Sequence, residues 1–353
     1  MSRAALTRRA SVILGTAACL GVLATGIVAD PQQPQNRTPP PPQGRNPETR
    51  SQTGNADTGD IETLPVQREV YLIAGAGGNI AVHVGPEGLV VVDTGDGRRN
   101  DQVLAALRRV SSTAPVRFII NTSADPDHTG GNEAISKALG EELRSRETSA
   151  IEDAGAAIVA QENVLNRMSA PTGKQSTLPI GAWPTSTYFT PKKDLYMNNQ
   201  AVQIMHQPAA HTDGDSLVYF RASDVIITGD IFDKTRYPVI DKAKGGSIGG
   251  VVDALNRLLE ITVAAKYEEG GTMVIPGHGR MCDEADVVEY RDMVTIVRDR
   301  IQDLVKKGRT LEQVKAAKPT MEYDPMYGAT TGPWTTDMFV ETVYRDLVAE
   351  RTH

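Results

Sequence analysis

The sequence predicts an α/β fold in which the strands fall into two groups, each flanked by helices. Short β-branched runs closed by turn residues, such as Leu89 to Val92 before Asp93, are typical of buried strands. Longer stretches between them carry apolar residues at helical spacing, most clearly over residues 100–110. Because strands and helices alternate in both halves of the chain, we expect a layered α/β domain.

The first group of strands surrounds a Gly-rich turn at residues 75–78, where alternating apolar and polar residues on both sides predict a hairpin. Its predicted strands are 67–74, 79–85, 89–92 and 117–120. The helices predicted around them are 100–110, 132–143 and 150–168. Residues 171–189 are rich in turn residues and are interpreted as a long connection.

The second group of strands lies in the C-terminal half and is followed by helices to the end of the chain. Its predicted strands are 201–206, 216–220, 224–228 and 272–275. The predicted helices are 250–266, 284–307, 310–317 and 336–350. We therefore assign residues 66–353 to one domain that includes extra C-terminal helices.

Composition limits the class of partner. The 353 residues, 40% of them hydrophobic, are sufficient for a large buried core. The formal charge is -7 and no basic stripe interrupts the acidic body, which argues against a nucleic-acid partner. The only cysteines, Cys19 and Cys282, are too few for a Cys-based zinc cluster.

The N-terminal segment has the order of a secretory signal. Residues 3–9 are basic, residues 10–28 are apolar and small, and Ala29 precedes a polar run. We expect residues 1–29 to be a signal peptide and the protein to be exported, either periplasmic or secreted. An uncleaved membrane anchor is the alternative, since about 20 apolar residues can just span a bilayer. Residues 30–65 are Pro-rich and poor in large apolar groups, so a disordered linker is expected there.

Histidines and aspartates cluster in tight turns directly after four apolar strands. The four turns read S-A-D-P-D-H-T-G-G from Ser123, H-T-D-G-D from His211, T-G-D ending at Asp230, and P-G-H-G around His278. Strand ends of one sheet can converge on a single point, and imidazole with carboxylate is the ligand mix of zinc, iron or manganese hydrolytic sites. A single Asp-His turn is weak evidence, but four in one chain indicate a metal site.

These turns, together with V-V-V-D-T-G at residues 90–95, resemble the metallo-β-lactamase superfamily over roughly residues 67–282. The resemblance implies a four-layer αββα sandwich and a catalytic metal. It also implies one complete ligand set, namely Asp127, His128, Asp230 and His278. By the same resemblance Asp93 orients the metal loop without touching the metal, and Asp127 is the catalytic residue that orients water or carries its proton.

The other ligand set implied by the resemblance is altered. The family reads His-x-His-x-Asp-His where this chain has Ser123 and Asp125 in place of the two leading histidines. His211, Asp230 and Asp125 remain as ligands, and Ser123 is a poor one. We therefore expect one strong Zn²⁺ site and a second, weaker site that favours harder ions such as iron or manganese if it is filled.

Three other polar residues have ordinary structural explanations. His83, between two valines, and His206, at a strand end, are interpreted as packed or surface residues rather than ligands. Cys282 is interpreted as structural. The segment from Tyr237 to Ser247 is equally consistent with a substrate-contacting loop and with a purely structural one.

The resemblance favours a metal-dependent hydrolase that attacks a small ester, thioester, lactone or amide with a metal-activated water. A non-catalytic metal-binding or ligand-binding protein on a degenerate site is the first alternative. Di-iron redox chemistry ranks third, because it usually requires a flavin partner domain. The expected partner is a small-molecule substrate, with membrane contact only through an uncleaved N-terminal segment.

Overall fold

Two β-sheets form the centre of the protein in the computed structural model, which describes residues 60–140, 155–169, 176, 178–268 and 270–351. The first sheet has seven strands in sequence order: β1 (Glu62–Gln67), β2 (Val70–Ala76), β3 (Gly78–Gly85), β4 (Gly88–Val92), β5 (Val116–Ile120), β6 (Ala157–Gln161) and β7 (Ser186–Tyr188). Strands β1 to β4 pair antiparallel, and β4 to β7 pair parallel.

The second sheet has five strands in the spatial order β12-β11-β10-β9-β8. They are β8 (Lys192–Met197), β9 (Gln200–Gln207), β10 (Asp215–Phe220), β11 (Val225–Ile227) and β12 (Met273–Ile275). Strands β11 and β12 are parallel, and the other neighbours are antiparallel. The carboxyl ends of β11 and β12 therefore lie at the same edge of this sheet.

Helices occupy both outer faces. They are α1 (Asn100–Val110), α2 (Pro126–Thr129), α3 (Asn132–Leu139), α4 (Glu162–Ser169), α5 (Ile248–Ile261), α6 (Glu284–Lys306), α7 (Leu311–Ala316), α8 (Asp324–Tyr327) and α9 (Thr336–Glu350). Among the described residues, no helix is both long enough and apolar enough to cross a membrane.

Three apolar clusters separate the layers. Val90 and Ile120 of the first sheet pack with Val218 and Phe220 of the second in the interior between the sheets. Leu107 of α1 belongs to a cluster on the outer face of the first sheet. A larger cluster joins the outer face of the second sheet to α5, α6 and α9. The predicted four-layer αββα sandwich with extra C-terminal helices is confirmed.

Several boundaries differ from the sequence prediction. Residues 186–188, predicted as part of the long connection, form strand β7, and the helix predicted at 250–266 ends at Ile261. Residues 157–161, predicted as helix, form strand β6, because this apolar run is paired on both sides by the parallel strands β5 and β7. Residues 62–65, assigned to the disordered linker, belong to strand β1, whose backbone pairs with β2. The predicted signal peptide, linker residues 30–59 and residues 141–143 and 150–154 of the predicted helices lie outside the described residues.

Candidate metal centre

The predicted ligand turns meet at one edge of the sandwich. Asp125 precedes the one-turn helix α2, which Pro126 begins, and Asp127 and His128 are its next two residues. The Thr129 hydroxyl donates to the carbonyl oxygen of Asp125 at 2.9 Å and stabilises this turn. The carboxylates of Asp125 and Asp127 and the imidazole of His128 all belong to the groups of candidate ligands at this edge.

Asp127, His128, Asp230 and His278 form a four-residue cluster in which one ligand atom of each lies within 4.8 Å of the others. Asp230 Oδ1 is 3.3 Å from His128 Nε2 and 3.4 Å from His278 Nε2. His278 Nε2 is also 3.1 Å from Asp127 Oδ2. The structure thus brings together the complete ligand set that the resemblance implies.

Asp125, His211 and Asp230 form an adjoining three-residue cluster. His211 Nε2 lies 2.6 Å from Asp125 Oδ2 and 3.9 Å from Asp230 Oδ2. The Nδ1 atom of His211 is 2.9 Å from the carbonyl oxygen of Val239, so it donates there and directs Nε2 toward the carboxylates. Asp230 contributes one oxygen to each cluster.

Asp93 is hydrogen-bonded to two residues of the loop that carries His128. Its Oδ2 atom accepts a hydrogen bond from His128 Nδ1 at 2.7 Å and one from the Thr122 hydroxyl at 2.6 Å. Its Oδ1 atom accepts the backbone N–H of Thr122 at 2.8 Å. With Nδ1 of His128 donating to Asp93, Nε2 presents its lone pair to the four-residue cluster. These bonds place Asp93 where the resemblance expects a positioning carboxylate.

The four-residue cluster fits a divalent cation. His128 Nε2 and Asp230 Oδ1 are among the few buried side-chain polar atoms of the described residues that have no hydrogen-bond partner. These two atoms are 3.3 Å apart, and a cation held by both of them would satisfy both. A Cβ on Gly277 would lie 2.4 Å from Asp230 Oδ1, so glycine leaves the space that the carboxylate needs.

Opposite charges at the centre shift the pKa values of its members. Burial favours the neutral form of Asp125, yet the hydrogen bond with His211, together with the charges of His211 and Lys244, lowers the pKa of Asp125 to about 2. Burial also disfavours imidazolium at His211, but the bond with Asp125 and the charge of Asp230 raise its pKa to about 10. The pKa of His278 is raised against its burial by Asp127 and Asp230. In the metal-free protein, protons therefore supply the positive charge that the carboxylates require.

Lys244 is a charged residue at this site that the sequence analysis did not identify. Its ammonium group contacts Asp125 Oδ1 and lies 3.0 Å from Asp241 Oδ2. It belongs to the Tyr237–Ser247 segment, for which two interpretations remained open. The position of that segment after the Asp230 turn was the available signal, but nothing in its sequence indicates which lysine reaches the metal loop.

Two further positioning residues were missed. The Asn79 side-chain amide donates to the carbonyl oxygens of Pro276 and Gly279 at 2.9 and 3.0 Å and so fixes the turn that carries His278. Asp215 accepts both the backbone N–H and the hydroxyl of Thr212, at 2.7 and 2.6 Å, next to His211. Burial raises the pKa of Asp215 to about 6. Asp215 is the second aspartate of the H-T-D-G-D turn, which is the signal that sequence reasoning passed over.

The remaining candidate residues make contacts that are consistent with a structural role. Ser123 is buried beside the three-residue cluster, and its hydroxyl accepts the backbone N–H of Asp125 at 3.2 Å. His83 lies between the two sheets, and His206 Nε2 is 2.7 Å from the carbonyl oxygen of Asp213. Cys282 is buried in the C-terminal core. Neither histidine belongs to a group of candidate ligands in the described part of the chain.

A family model for the metallo-beta-lactamase superfamily matches residues 73–278, which is more than half of the chain. The chain belongs to the metallo-beta-lactamase superfamily. The matched range runs from the second strand to the histidine of the P-G-H-G turn and so includes both clusters. Fold and candidate ligands together imply a divalent metal ion at this centre.

Individual relatives share the fold at low identity. A curated linear primary-alkylsulfatase from a Pseudomonas strain is 23% identical over 282 residues, which are 68% of this chain and 50% of that protein. The solved sec-alkylsulfatase Pisa1 from Pseudomonas sp. has a TM-score of 0.55 at 16% identity, covering 82% of this chain and 50% of that one. The DIM-1 metallo-beta-lactamase has a TM-score of 0.50 at 13% identity, covering 67% and 98%. The chain thus spans about half the length of the curated relative that it matches.

Proposed function

We propose that this protein is a metal-dependent hydrolase of a small ester-type or amide-type substrate. The observation that carries the proposal is the complete four-residue cluster, with two buried acceptor atoms that lack a partner. Membership in a superfamily of metallo-hydrolases supports it. A bound divalent ion supplies Lewis acidity there: it lowers the pKa of water and polarises the substrate.

Asp127 is the member of the four-residue cluster best placed to exchange protons. Its side chain is 32% exposed, whereas the side chains of His128, His278 and Asp230 are 0%, 9% and 11% exposed. The hydrogen bond from His278 and the charge of His128 outweigh burial and lower the pKa of Asp127, which keeps it a carboxylate at neutral pH. Asp127 can therefore accept a proton from water and release it to the leaving group.

We propose zinc as the ion of the four-residue cluster. Two imidazoles and two carboxylates form a mixed nitrogen and oxygen shell that suits Zn²⁺. The three-residue cluster offers a single imidazole and two carboxylates, a harder set that favours iron or manganese when it is filled. One tightly held ion per chain, with a weaker second one, is the expected stoichiometry.

The substrate class proposed from the sequence includes esters, thioesters, lactones and amides. The curated alkylsulfatase relative adds sulfate esters as a second candidate class. Both classes require a metal-polarised oxygen and a protonated leaving group, so the cluster serves either. The choice between them rests with the substrate test below.

The test is a hydrolysis panel on protein reconstituted with one equivalent of zinc. The panel contains p-nitrophenyl acetate, a thioester, a lactone, a β-lactam and an alkyl sulfate. We expect turnover of at least one panel substrate that is lost on chelation and restored by zinc. Asp127→Asn should lower kcat by about 10²-fold or more even at a zinc concentration that saturates the variant, because the amide cannot accept the proton.

The ligand assignment is tested by comparing the zinc content of His278→Ala with that of the control variant His206→Ala. Removal of His278 takes away one of four ligands and should lower zinc content and melting temperature together. His206 bonds a backbone carbonyl instead, so its removal should leave zinc content unchanged. Full zinc binding without hydrolysis of any panel substrate favours the alternative, a non-catalytic metal-binding protein. Unchanged zinc content in His278→Ala contradicts the ligand assignment itself.

A further inference from the structure

The ammonium group of Lys244 lies against the three-residue cluster. It contacts Asp125 Oδ1, while the other oxygen of the same carboxylate, Oδ2, is 2.6 Å from His211 Nε2. Both oxygens of Asp125 are therefore already engaged by nitrogen atoms. A second metal ion at this cluster has to compete with an ammonium group for the carboxylate that replaces the family's imidazole.

The placement of Lys244 is built into the fold. Its backbone N–H donates to the carbonyl oxygen and to Oδ1 of Asp241, at 3.0 and 3.1 Å. Its carbonyl oxygen accepts the backbone N–H of Asp213 at 2.9 Å and the Arg167 guanidinium at 3.0 Å. Asp241 in turn donates its backbone N–H to the carbonyl oxygen of His211 at 3.0 Å. The turn that carries Lys244 is thus fixed to the turn that carries His211.

Counted over the candidate ligands and Lys244 alone, the charges balance with one divalent ion. Asp125, Asp127 and Asp230 contribute three negative charges when ionised, and the histidines are neutral when they bind metal. One divalent ion and the Lys244 ammonium contribute three positive charges. A second divalent ion would place two more positive charges within a few ångströms of the Lys244 ammonium group, which also contacts Asp241 Oδ2 at 3.0 Å.

We propose that the ammonium group of Lys244 is the permanent cation of the three-residue cluster, so that the protein works with one divalent ion. The inference rests on the proposed function, since it describes how that metal centre is completed. Lys244 takes the place of a second ion as the positive charge beside the reacting centre. The side chain acts as a charge partner of Asp125 and as a barrier to a second metal ion.

Lys242 provides a matched control on the same turn. It lies two residues before Lys244, and its ammonium group pairs with Asp346 of α9 instead of the metal loop. Replacement of either lysine by methionine removes one positive charge from the same segment at similar volume. Only the replacement at Lys244 removes a charge from the three-residue cluster.

The experiment is a zinc titration of the metal-free full chain, monitored by calorimetry. Elemental analysis after dialysis then counts the ions that remain bound. We expect the wild type and Lys242→Met to hold one ion tightly and a second weakly. Lys244→Met should bind the second ion at least about tenfold more tightly, because Asp125 is released from the ammonium group. The affinity for the first ion should change much less.

A second-ion affinity in Lys244→Met equal to that of the wild type overturns the proposal, as does a wild type that holds two ions equally tightly. Circular dichroism checks folding, and Lys244→Gln, with the same prediction, replaces Lys244→Met if that variant is unfolded. Because the readout is metal binding, a protein that shows the expected shift but hydrolyses nothing supports the role of Lys244 and contradicts only the hydrolase.

Discussion

At the residue scale, Asp230 links the two clusters. One of its oxygens lies 3.3 Å from His128 Nε2 and 3.4 Å from His278 Nε2, and the other lies 3.9 Å from His211 Nε2. The charges of these imidazoles outweigh burial and hold the pKa of Asp230 well below its usual range. The two clusters therefore share one anion, and changes in one affect the charge balance of the other.

We propose that Asp125 and Ser123 set the number of bound ions. Asp125→Ala removes a ligand of the three-residue cluster alone, so we expect the first zinc ion to remain and the weak second ion to be lost. Ser123→His with Asp125→His replaces a hydroxyl and a carboxylate by two imidazoles and also removes one of the two carboxylate partners of Lys244. That double variant should bind close to two zinc ions per chain.

Elemental analysis of the wild type and the two variants after dialysis measures this prediction. Loss of the first ion in Asp125→Ala would mean that the clusters cannot be separated in this way. Two tightly held zinc ions in the unmodified protein would show that Ser123 and Asp125 are not a deficit.

At the scale of elements, each candidate ligand follows the end of a strand or lies in the one-turn helix α2. The P-G-H-G turn after β12 approaches Asp230 so closely that a Cβ at Gly277 would be 2.4 Å from Oδ1. Gly277→Ala should therefore displace the Asp230 carboxylate and lower zinc affinity by about tenfold or more. Gly277 also donates its backbone N–H to Gly229, next to that aspartate.

Gly249 in the first turn of α5 is the matched glycine, because a Cβ there meets only Glu350 Oε1, at 3.8 Å. Gly249→Ala should leave zinc affinity unchanged and increase the free energy of unfolding by up to about 1 kcal/mol. Zinc titration and urea unfolding of the two variants provide the comparison. Equal zinc affinity in both variants contradicts the role of Gly277.

Local sequence signals predict some elements and not others. Helix α1 and the turns around His128, His211 and His278 follow from short patterns, since periodicity and ligand spacing are local properties. The run at residues 157–161 is apolar enough for a helix or a strand, and only its position between β5 and β7 decides the matter. Strand β8 is polar and largely exposed at the sheet edge, so it lacks the alternation that marks a strand.

Some residues of the candidate site can likewise be predicted from local sequence patterns, and others cannot. The six proposed ligands lie in turns that a motif can specify. Lys244 reaches Asp125 across 119 residues of sequence, and Asn79 reaches the turn around His278 across about 200. Such contacts depend on how the two sheets pack together, which no local pattern encodes.

At the scale of the whole molecule, the basic, apolar and small-residue order of residues 3–29 leads us to propose export. Mass spectrometry of the protein from its native host should find a mature N-terminus near Asp30. An intact Met1 on cytoplasmic protein would contradict export, and an intact Met1 in the membrane fraction would indicate an uncleaved anchor.

His83 connects the two sheets on the side of the core that is remote from the ligands. It lies on β3, its ring stacks on Phe220 of β10 with 5.2 Å between centroids, and Asn198 donates toward its Nδ1 atom at 3.2 Å. Gln200 of β9 contacts Nε2. Neutral imidazole accepts a hydrogen bond at its one unprotonated nitrogen, whereas imidazolium accepts none, so protonation of His83 would cost the amide contact at that nitrogen. Burial, partly offset by the charge of Glu69, lowers the pKa of His83.

The contribution of His83 to the free energy of unfolding should therefore decrease as the pH falls below neutrality. Its pKa is lower in the folded than in the unfolded protein, so the unfolded chain binds the proton first as the pH falls below about 6.5. The contribution of His83 is complete above that pH and is lost progressively as the pH falls toward the folded pKa.

His83→Gln, which keeps a polar side chain but does not titrate, should be about 1–3 kcal/mol less stable than the wild type at pH 7.5. Because the variant lacks the proton uptake, that gap should narrow at pH 5.5. Urea unfolding of both proteins in excess chelator removes the metal contribution, and a gap of the same size at the two pH values would rule out His83 as the titrating group.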